Sequence, residues 1–302
     1  MITMNRSGFG YRLFSVCNVA FIALLSLAAL YPYLNTLAVA LNDGQDSMLG
    51  GITLFPREPT LGNFAALLGD DSIVRALFVS VAKVVSGTLL NLVVQFSAAY
   101  ALTKKRMVGR SALLFYFIVP MFFNGGLIPI YLLYSKLGLL NNFFVYVLPG
   151  AFAFFNVIII RTYLYTIPES LEESAKIDGA HELTVMWRVI LPLSRPILAT
   201  IALWTAVTHW NDWTTTLNFI TKPDLQTIQF KLMLMIKESD MIASLIQEAA
   251  MRGESTSAPI VRVTPEAIRA AQVIVTTIPI ILVYPFLQKH FIKGVLIGSV
   301  KE

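Results

Sequence analysis

Ile167-Pro168-Glu169-Ser170-Leu171-Glu172-Glu173-Ser174-Ala175-Lys176-Ile177-Asp178-Gly179-Ala180 is a polar segment set between two long apolar runs, and its reading decides what kind of molecule the chain forms. Ser170 and Glu173 have the spacing of a capping box, in which hydroxyl and carboxylate answer each other's orphan backbone donors. A helix of about two turns is predicted to follow and to stop at Gly179, a residue free to take the left-handed C′ conformation. A second helical stretch over 181–191 runs to Pro192 and Pro196, where the chain turns into the next apolar run. A plain re-entry elbow fits the local pattern. Two short helices within the 31-residue connection 166–196 exceed what a turn needs, and point to a docking helix pressed into another protein.

On either side of this segment the chain is apolar. Of 302 residues, 56% are hydrophobic and 14% charged, and mean hydropathy is +0.68. An ordinary soluble domain has about a quarter of its residues charged, so the composition excludes a disordered chain, a disulfide scaffold and a typical cytosolic enzyme. Six runs, over 13–37, 73–102, 111–134, 143–165, 197–219 and 267–288, reach the roughly 17–25 residues that cross the hydrocarbon core as a helix. A lone strand in lipid would leave its backbone unpaired, so the expected fold is an all-α membrane protein with six transmembrane helices. Ala38-Val39-Ala40 imitates a signal-peptide cleavage site, but the run before it is much longer than the roughly 7–15 residues of a signal core, and it reads as a retained span. The single cysteine, Cys17, lies within that run and permits no intrachain disulfide.

Positive charge sets the orientation. Placing the N-terminus, 103–110, 166–196 and the tail from Lys289 on one side collects twelve cations there, four of them Lys104, Lys105, Arg106 and Arg110; the opposite side holds seven over longer loops. Both termini are therefore expected to be cytoplasmic. The net charge of +5 is this same bias and calls for no nucleic acid. Two outer segments are long. Residues 38–72, with Gly50-Gly51, Pro56 and Pro59, read as an irregular surface strap. In 220–266, Ile228, Leu232, Met235 and Ile236 recur at helical spacing before a polar turn at 253–257, which predicts an ordered extracytoplasmic helix pair.

Catalysis finds little support. No G-x-x-x-x-G-K-[ST] phosphate loop is present, His181, His209 and His290 are too scattered for a metal cluster, and Asp212 is the one acid within the six runs. Charges at membrane depth are costly and need a reason. Lys83 lies about 15 Å along its helix from Ile73; it reads either as a pathway cation for an anionic solute or as a tether to a carboxylate or carbonyl. Arg161, one turn from the end of its run, reads as snorkelling or as a contact to the loop. His209-Trp210-Asn211-Asp212-Trp213 is a polar, aromatic insertion in an apolar run. Its rings and amides suit a sugar, while interhelical contacts plus an aromatic belt are the plainer reading.

Glu173-Ser174-Ala175, three residues, Gly179, nine residues, then Val189-Ile190-Leu191-Pro192 resembles the "EAA" loop of ABC-importer permeases, E-A-A-x-x-x-G-x9-I-x-L-P, with Ser174 and Val189 as mild departures. Phe123-Asn124-Gly125-Gly126-Leu127-Ile128-Pro129, the His209–Trp213 cluster and Lys293-Gly294-Val295-Leu296-Ile297-Gly298-Ser299-Val300-Lys301 resemble the carbohydrate-uptake permeases of the maltose-type group, nearest its lipo-oligosaccharide and oligouronide branch. The resemblance implies one permease domain over 1–302, in a bacterial cytoplasmic membrane. Within it, 166–196 is a coupling loop and 220–266 faces a solute-binding protein. Ser170, Leu171, Glu173, Ala175, Asp178 and Gly179 would form the coupling element, with ATP and Mg held by a separate dimer of ATP-binding subunits and no cofactor in this chain. A second permease subunit, membrane lipid and the oligosaccharide complete the implied partners. In the maltose-type system the main sugar site lies on the partner permease, which leaves Lys83, His209, Trp210, Asn211, Asp212 and Trp213 as pathway candidates. Lys83, with Arg75 and Arg269 near outer span ends, favours an acidic oligosaccharide, since a desolvated carboxylate needs compensating charge. The same architecture carrying another solute is the alternative; an ion-coupled secondary transporter would need an inverted repeat and intramembrane acids, and neither is seen.

Overall fold

A computed structural model describes residues 9–123, 125–251 and 264–299, the last helix beyond residue 282 and parts of 239–251 by backbone alone. Regular structure among these residues is helical, apart from one isolated bridge between Asn42 and Pro59. Three of the six runs form continuous helices long and apolar enough to cross a membrane: α1 (Phe9–Ala40), α4 (Asp71–Thr103) and α14 (Pro265–Ser299). The other three are interrupted, and in each a proline or polar residue explains the break.

The run 111–134 becomes α5 (Arg110–Phe122) and α6 (Leu127–Lys136). A helix continued through Gly125 would place the Pro129 ring against the carbonyl of residue 125. Restarting at Leu127 moves Pro129 into a first turn, where its missing N–H is harmless, and Gly126 takes φ +87° to allow the change of direction. Asn124 lies outside the described residues. The run 143–165 keeps only a 3₁₀ turn at Phe143–Tyr146 and α7 (Phe154–Leu164), separated by Pro149-Gly150. Eleven residues rise only about 16 Å, half the thickness of the hydrocarbon core. The run 197–219 divides at Asp212 into α11 (Arg195–Asn211) and α12 (Thr214–Phe219). The cluster His209–Trp213 therefore sits at a helix break rather than inside a continuous span.

The 38–72 strap holds more order than its glycines suggest, with two short helices, α2 (Gly44–Met48) and α3 (Gly62–Leu68). In the 220–266 segment a 3₁₀ turn, Pro223–Leu225, leads into α13 (Ile228–Met251). The first helix of the expected pair is α13; the polar turn at 253–257 and the residues on to 263 lie outside the described residues, as do residues 1–8 and 300–302.

The chain divides into two compact units. In the unit of Met1–Asp70 and Leu234–Thr277, buried amides organise the strap. Asn63 Nδ2 donates to the Ala40 carbonyl (2.9 Å), a free acceptor at the C-terminal end of α1, and to the Asn42 carbonyl (2.8 Å). Asn42 Nδ2 in turn donates to Asp46 Oδ2, which also receives Arg57 Nε. In the unit of Asp71–Met233 and Ile278–Glu302, α4 packs along α11 and α7. The buried face of α4 carries Ser80, Lys83, Gly87, Asn91 and Gln95, three or four residues apart, while Phe78, Val81, Val85 and Leu89 face outward. Polarity is thus inverted relative to a soluble helix: polar groups find partners inside and the apolar face suits lipid.

Candidate functional site

α8 (Glu169–Ile177) begins one residue before Ser170 and takes Pro168 as its N-cap, so the expected capping box does not form. Pro168, in an extended conformation, starts the helix; Ser170 is already inside the first turn and its hydroxyl is in no position to cap. Glu169 and Glu172 instead lie near the positive end of the helix dipole. The predicted stop is present. Gly179 has φ +82°, its N–H reaches the Lys176 carbonyl and the Ala180 N–H reaches the Ala175 carbonyl, which together make a Schellman motif. His181 then accepts the Leu183 N–H at Nδ1 and starts α9 (Glu182–Thr184), which passes through a π turn (Val185–Ile190) into α10 (Leu191–Leu193). The helical path therefore runs through Pro192, and a 79° bend leads into α11.

The inner side of this loop is fastened to α4 and the basic turn after it. Lys104 pairs with Glu172 and Glu182 and lies 3.8 Å from the centre of the Tyr100 ring. Glu182 also receives Lys176 Nζ and the Tyr100 hydroxyl, both at 2.7 Å, and Lys105 pairs with Glu169. Burial pushes the Glu182 carboxyl up, but hydrogen bonds from Lys176, Tyr100 and Lys104 outweigh it and bring the pKa down to about 2. Below these pairs Val185, Met186 and Ile190 are buried against Phe96, Val157 and Ile160, so the loop is packed into the base of α4 and α7. Ala175 is half-buried on this inner side, whereas Ser170, Leu171, Glu173, Asp178 and Gly179 are exposed. The polar contacts of Tyr100, Lys104 and Glu182 carry no motif. Their one sequence signal is the facing of the basic run 104–106 by the acids of 169–173.

At the other end of α4, Lys83 is 1% exposed and its ammonium donates to the Asp212 carbonyl and to Asp212 Oδ2, each at 2.8 Å. Asp212 Oδ1 accepts the Thr215 N–H and the Thr214 hydroxyl, both from the first turn of α12. The Tyr146 ring covers Lys83 at 4.8 Å, and the Tyr146 hydroxyl bonds Thr216 and the Leu225 carbonyl. Ser80 Oγ accepts the Ile228 N–H at the start of α13. Lys83 thus has the carboxylate and carbonyl partners that the tether reading expects. Arg75 is likewise paired, with Asp224. Arg161 donates from Nε to the Leu102 carbonyl and to the Tyr165 hydroxyl, tying α7 to the end of α4.

The five-residue cluster separates by side. His209 fits a notch formed by Gly87 and Asn91, with the Asn91 side-chain amide 3.3 Å from Nε2. Trp210 is buried and lines an apolar pocket together with Val84, Leu203, Val207 and Pro279. Asn211 remains exposed, and Trp213 is half-buried. No group of three or more metal-ligating side chains occurs among the described residues.

The profile of the family described as "binding-protein-dependent transport system inner membrane component" matches residues 3–297. Protein LplC of Bacillus subtilis (strain 168) is 37% identical over 300 residues, covering 99% of this chain and 98% of that protein. The polygalacturonan/rhamnogalacturonan transport system permease protein YtcP of the same organism is 34% identical over 290 residues, covering 96% and 99%. Among solved structures, a chain of a bacterial ABC transporter involved in the import of the acidic polysaccharide alginate superposes with a TM-score of 0.83 at 28% identity, covering 94% of this chain and 98% of that one.

Proposed function

This chain belongs to the family of binding-protein-dependent transport system inner membrane components, and from that premise we propose that it imports an acidic oligosaccharide as one of two permease subunits of an ABC importer in a bacterial cytoplasmic membrane. The observation that carries the reading is the docked loop: α8 is clamped on its inner side to the basic turn after α4 and leaves Ser170, Leu171, Glu173 and Asp178 exposed. In this reading that face, ended by Gly179, seats in a cleft of a separate ATP-binding subunit, which holds ATP and Mg. Closure of two such subunits displaces the loop, and the clamp passes the displacement to α4. Two relatives support an acidic solute, one transporting polygalacturonan and rhamnogalacturonan, the other alginate.

Counting α5 with α6 as one broken span, and α7 as a short one, gives six crossings with both termini cytoplasmic, as the cation distribution asks. Residues 166–196 then lie inside and 220–266 outside, where α13 meets a solute-binding protein. The test is ATP hydrolysis by the reconstituted importer with its binding protein. Stimulation by oligogalacturonate or alginate oligomers, with none by a neutral maltodextrin of equal length, is expected. Stimulation by the neutral sugar alone reassigns the substrate, and ATPase activity indifferent to every loaded binding protein removes the importer reading.

A further inference from the structure

α11 presents two different faces. His209, Trp210 and Asp212 turn toward α4, whereas Trp204, Thr208 and Asn211, at positions i, i+4 and i+7, form an exposed stripe on another side. Phe155 of α7 stands beside the first of them, edge to face, with ring centroids 5.9 Å apart. Trp204 is 53% exposed and Phe155 44%. The Thr208 hydroxyl donates to the Trp204 carbonyl, which leaves its lone pairs outward. Asn211 is the last residue of the helix, and its side-chain amide is open.

Position matters as much as composition. Trp204 lies nine residues beyond Arg195, about 14 Å along the helix at 1.5 Å per residue. That is the middle of a span, not the interfacial level at which tryptophan belts collect. An open amide facing hydrocarbon above it would be costly. The stripe therefore faces a polar route or a protein neighbour. Two aromatic rings followed by a hydroxyl and an amide on one line are what a sugar chain needs: ring faces stack on the aromatics, and hydroxyl or carboxylate oxygens accept from the amide.

We infer that Phe155, Trp204, Thr208 and Asn211 line the solute path and form this subunit's binding strip for successive units of an acidic oligosaccharide. The inference rests on the oligosaccharide-importer reading above. It assigns the buried Trp210 and the half-buried His209 and Asp212 to structure and leaves contact with the solute to residues on another face. An extended stripe about 10 Å long, from Trp204 to Asn211, suits a linear chain passing lengthwise rather than one sugar held in a pocket.

The test uses the complete reconstituted importer with alginate pentasaccharide, oligogalacturonate and maltopentaose as probes. Trp204→Ala and Asn211→Ala are each expected to lower uptake of the acidic sugars at least tenfold, with ATPase stimulation by the loaded binding protein kept within twofold. Trp204→Phe should recover most of the uptake, since a ring suffices for stacking. Unchanged uptake in both alanine variants makes the stripe a lipid-facing surface and overturns the inference. Failure of the alanine variants to co-purify with the second permease makes it a subunit contact and overturns it equally. If the wild-type importer takes up none of the three probes, the importer reading itself fails, an outcome separate from any difference between variants.

Discussion

The Lys83 ammonium closes a helix end and an acid at once: it lies 2.8 Å from both the main-chain carbonyl and Oδ2 of Asp212. A lysine with 1% exposure is tolerated because a carboxylate, a freed carbonyl and the Tyr146 ring all meet it. The other oxygen of Asp212 holds the first turn of α12, so one side chain joins three elements. Lys83→Met should leave that carboxylate without its charge partner and lower stability by about 3–5 kcal/mol. Asp212→Asn should also destabilise, because it leaves the buried ammonium without its counter-charge. Thermal unfolding of the detergent-solubilised permease reads both. Equal melting of wild type and Lys83→Met would contradict the tether.

Gly87 and His209 make a second close approach in the same interface. A Cβ built at Gly87 would sit 2.6 Å from His209 Nε2 and 2.8 Å from Cε1. Gly87→Ala is expected to destabilise by about 1–3 kcal/mol, the usual cost of overpacking. Adding His209→Ala should restore most of the loss by vacating the notch. The pair of melting temperatures is the measurement, and a single variant as stable as wild type would show that the imidazole moves aside freely.

Much of the architecture was legible in the sequence because hydrophobic length reports on lipid. The continuous helices α1 and α4 match two runs to within four residues at each end, and α14 contains a third and continues eleven residues past it. The runs holding Pro129, Pro149 and Asp212 were read as unbroken spans because composition averages over a window, while a helix is stopped by a single ring or carboxylate. The stop at Gly179 was readable, since positive φ has a residue signature; the start at Pro168 was not, because Ser170 and Glu173 imitate a capping box at the wrong phase. The partner of Lys83 was among the alternatives, yet the choice needed a contact 129 residues away in sequence. The clamp of Tyr100, Lys104 and Glu182 joins distant segments in the same way.

Changes on the two sides of α8 should have different consequences. Glu173 is exposed, so Glu173→Lys is expected to leave the permease folded while weakening its hold on the ATP-binding subunit at least tenfold. Gly179→Pro removes the N–H that bonds the Lys176 carbonyl and forbids φ +82°, so it should disorder the end of α8 and uncouple ATP hydrolysis from uptake. Co-purification of the ATP-binding subunit, followed by uptake per ATP hydrolysed, separates the two effects. Normal values for both variants would sink the coupling assignment.

Glu182 gives the loop a defined response to acid. Its carboxyl is held down to about 2 in the folded loop, whereas in an unfolded chain it titrates near the ordinary glutamate value of about 4.3. A depressed acid contributes stability that is fully present above the unfolded value and is lost as pH falls toward the folded one. Docking of 181–190 should therefore be constant from pH 8 to about 5.5 and weaken progressively below about 4. Because the side chain is 43% exposed, solvent and salt reduce the effect, and high ionic strength should shrink it further. Hydrogen exchange of the Leu183–Ile190 amides across this range is the measurement. Glu182→Gln should flatten the profile at the low-pH level of protection; a wild-type profile that rises on acidification would show that Glu182 is not the group holding the loop.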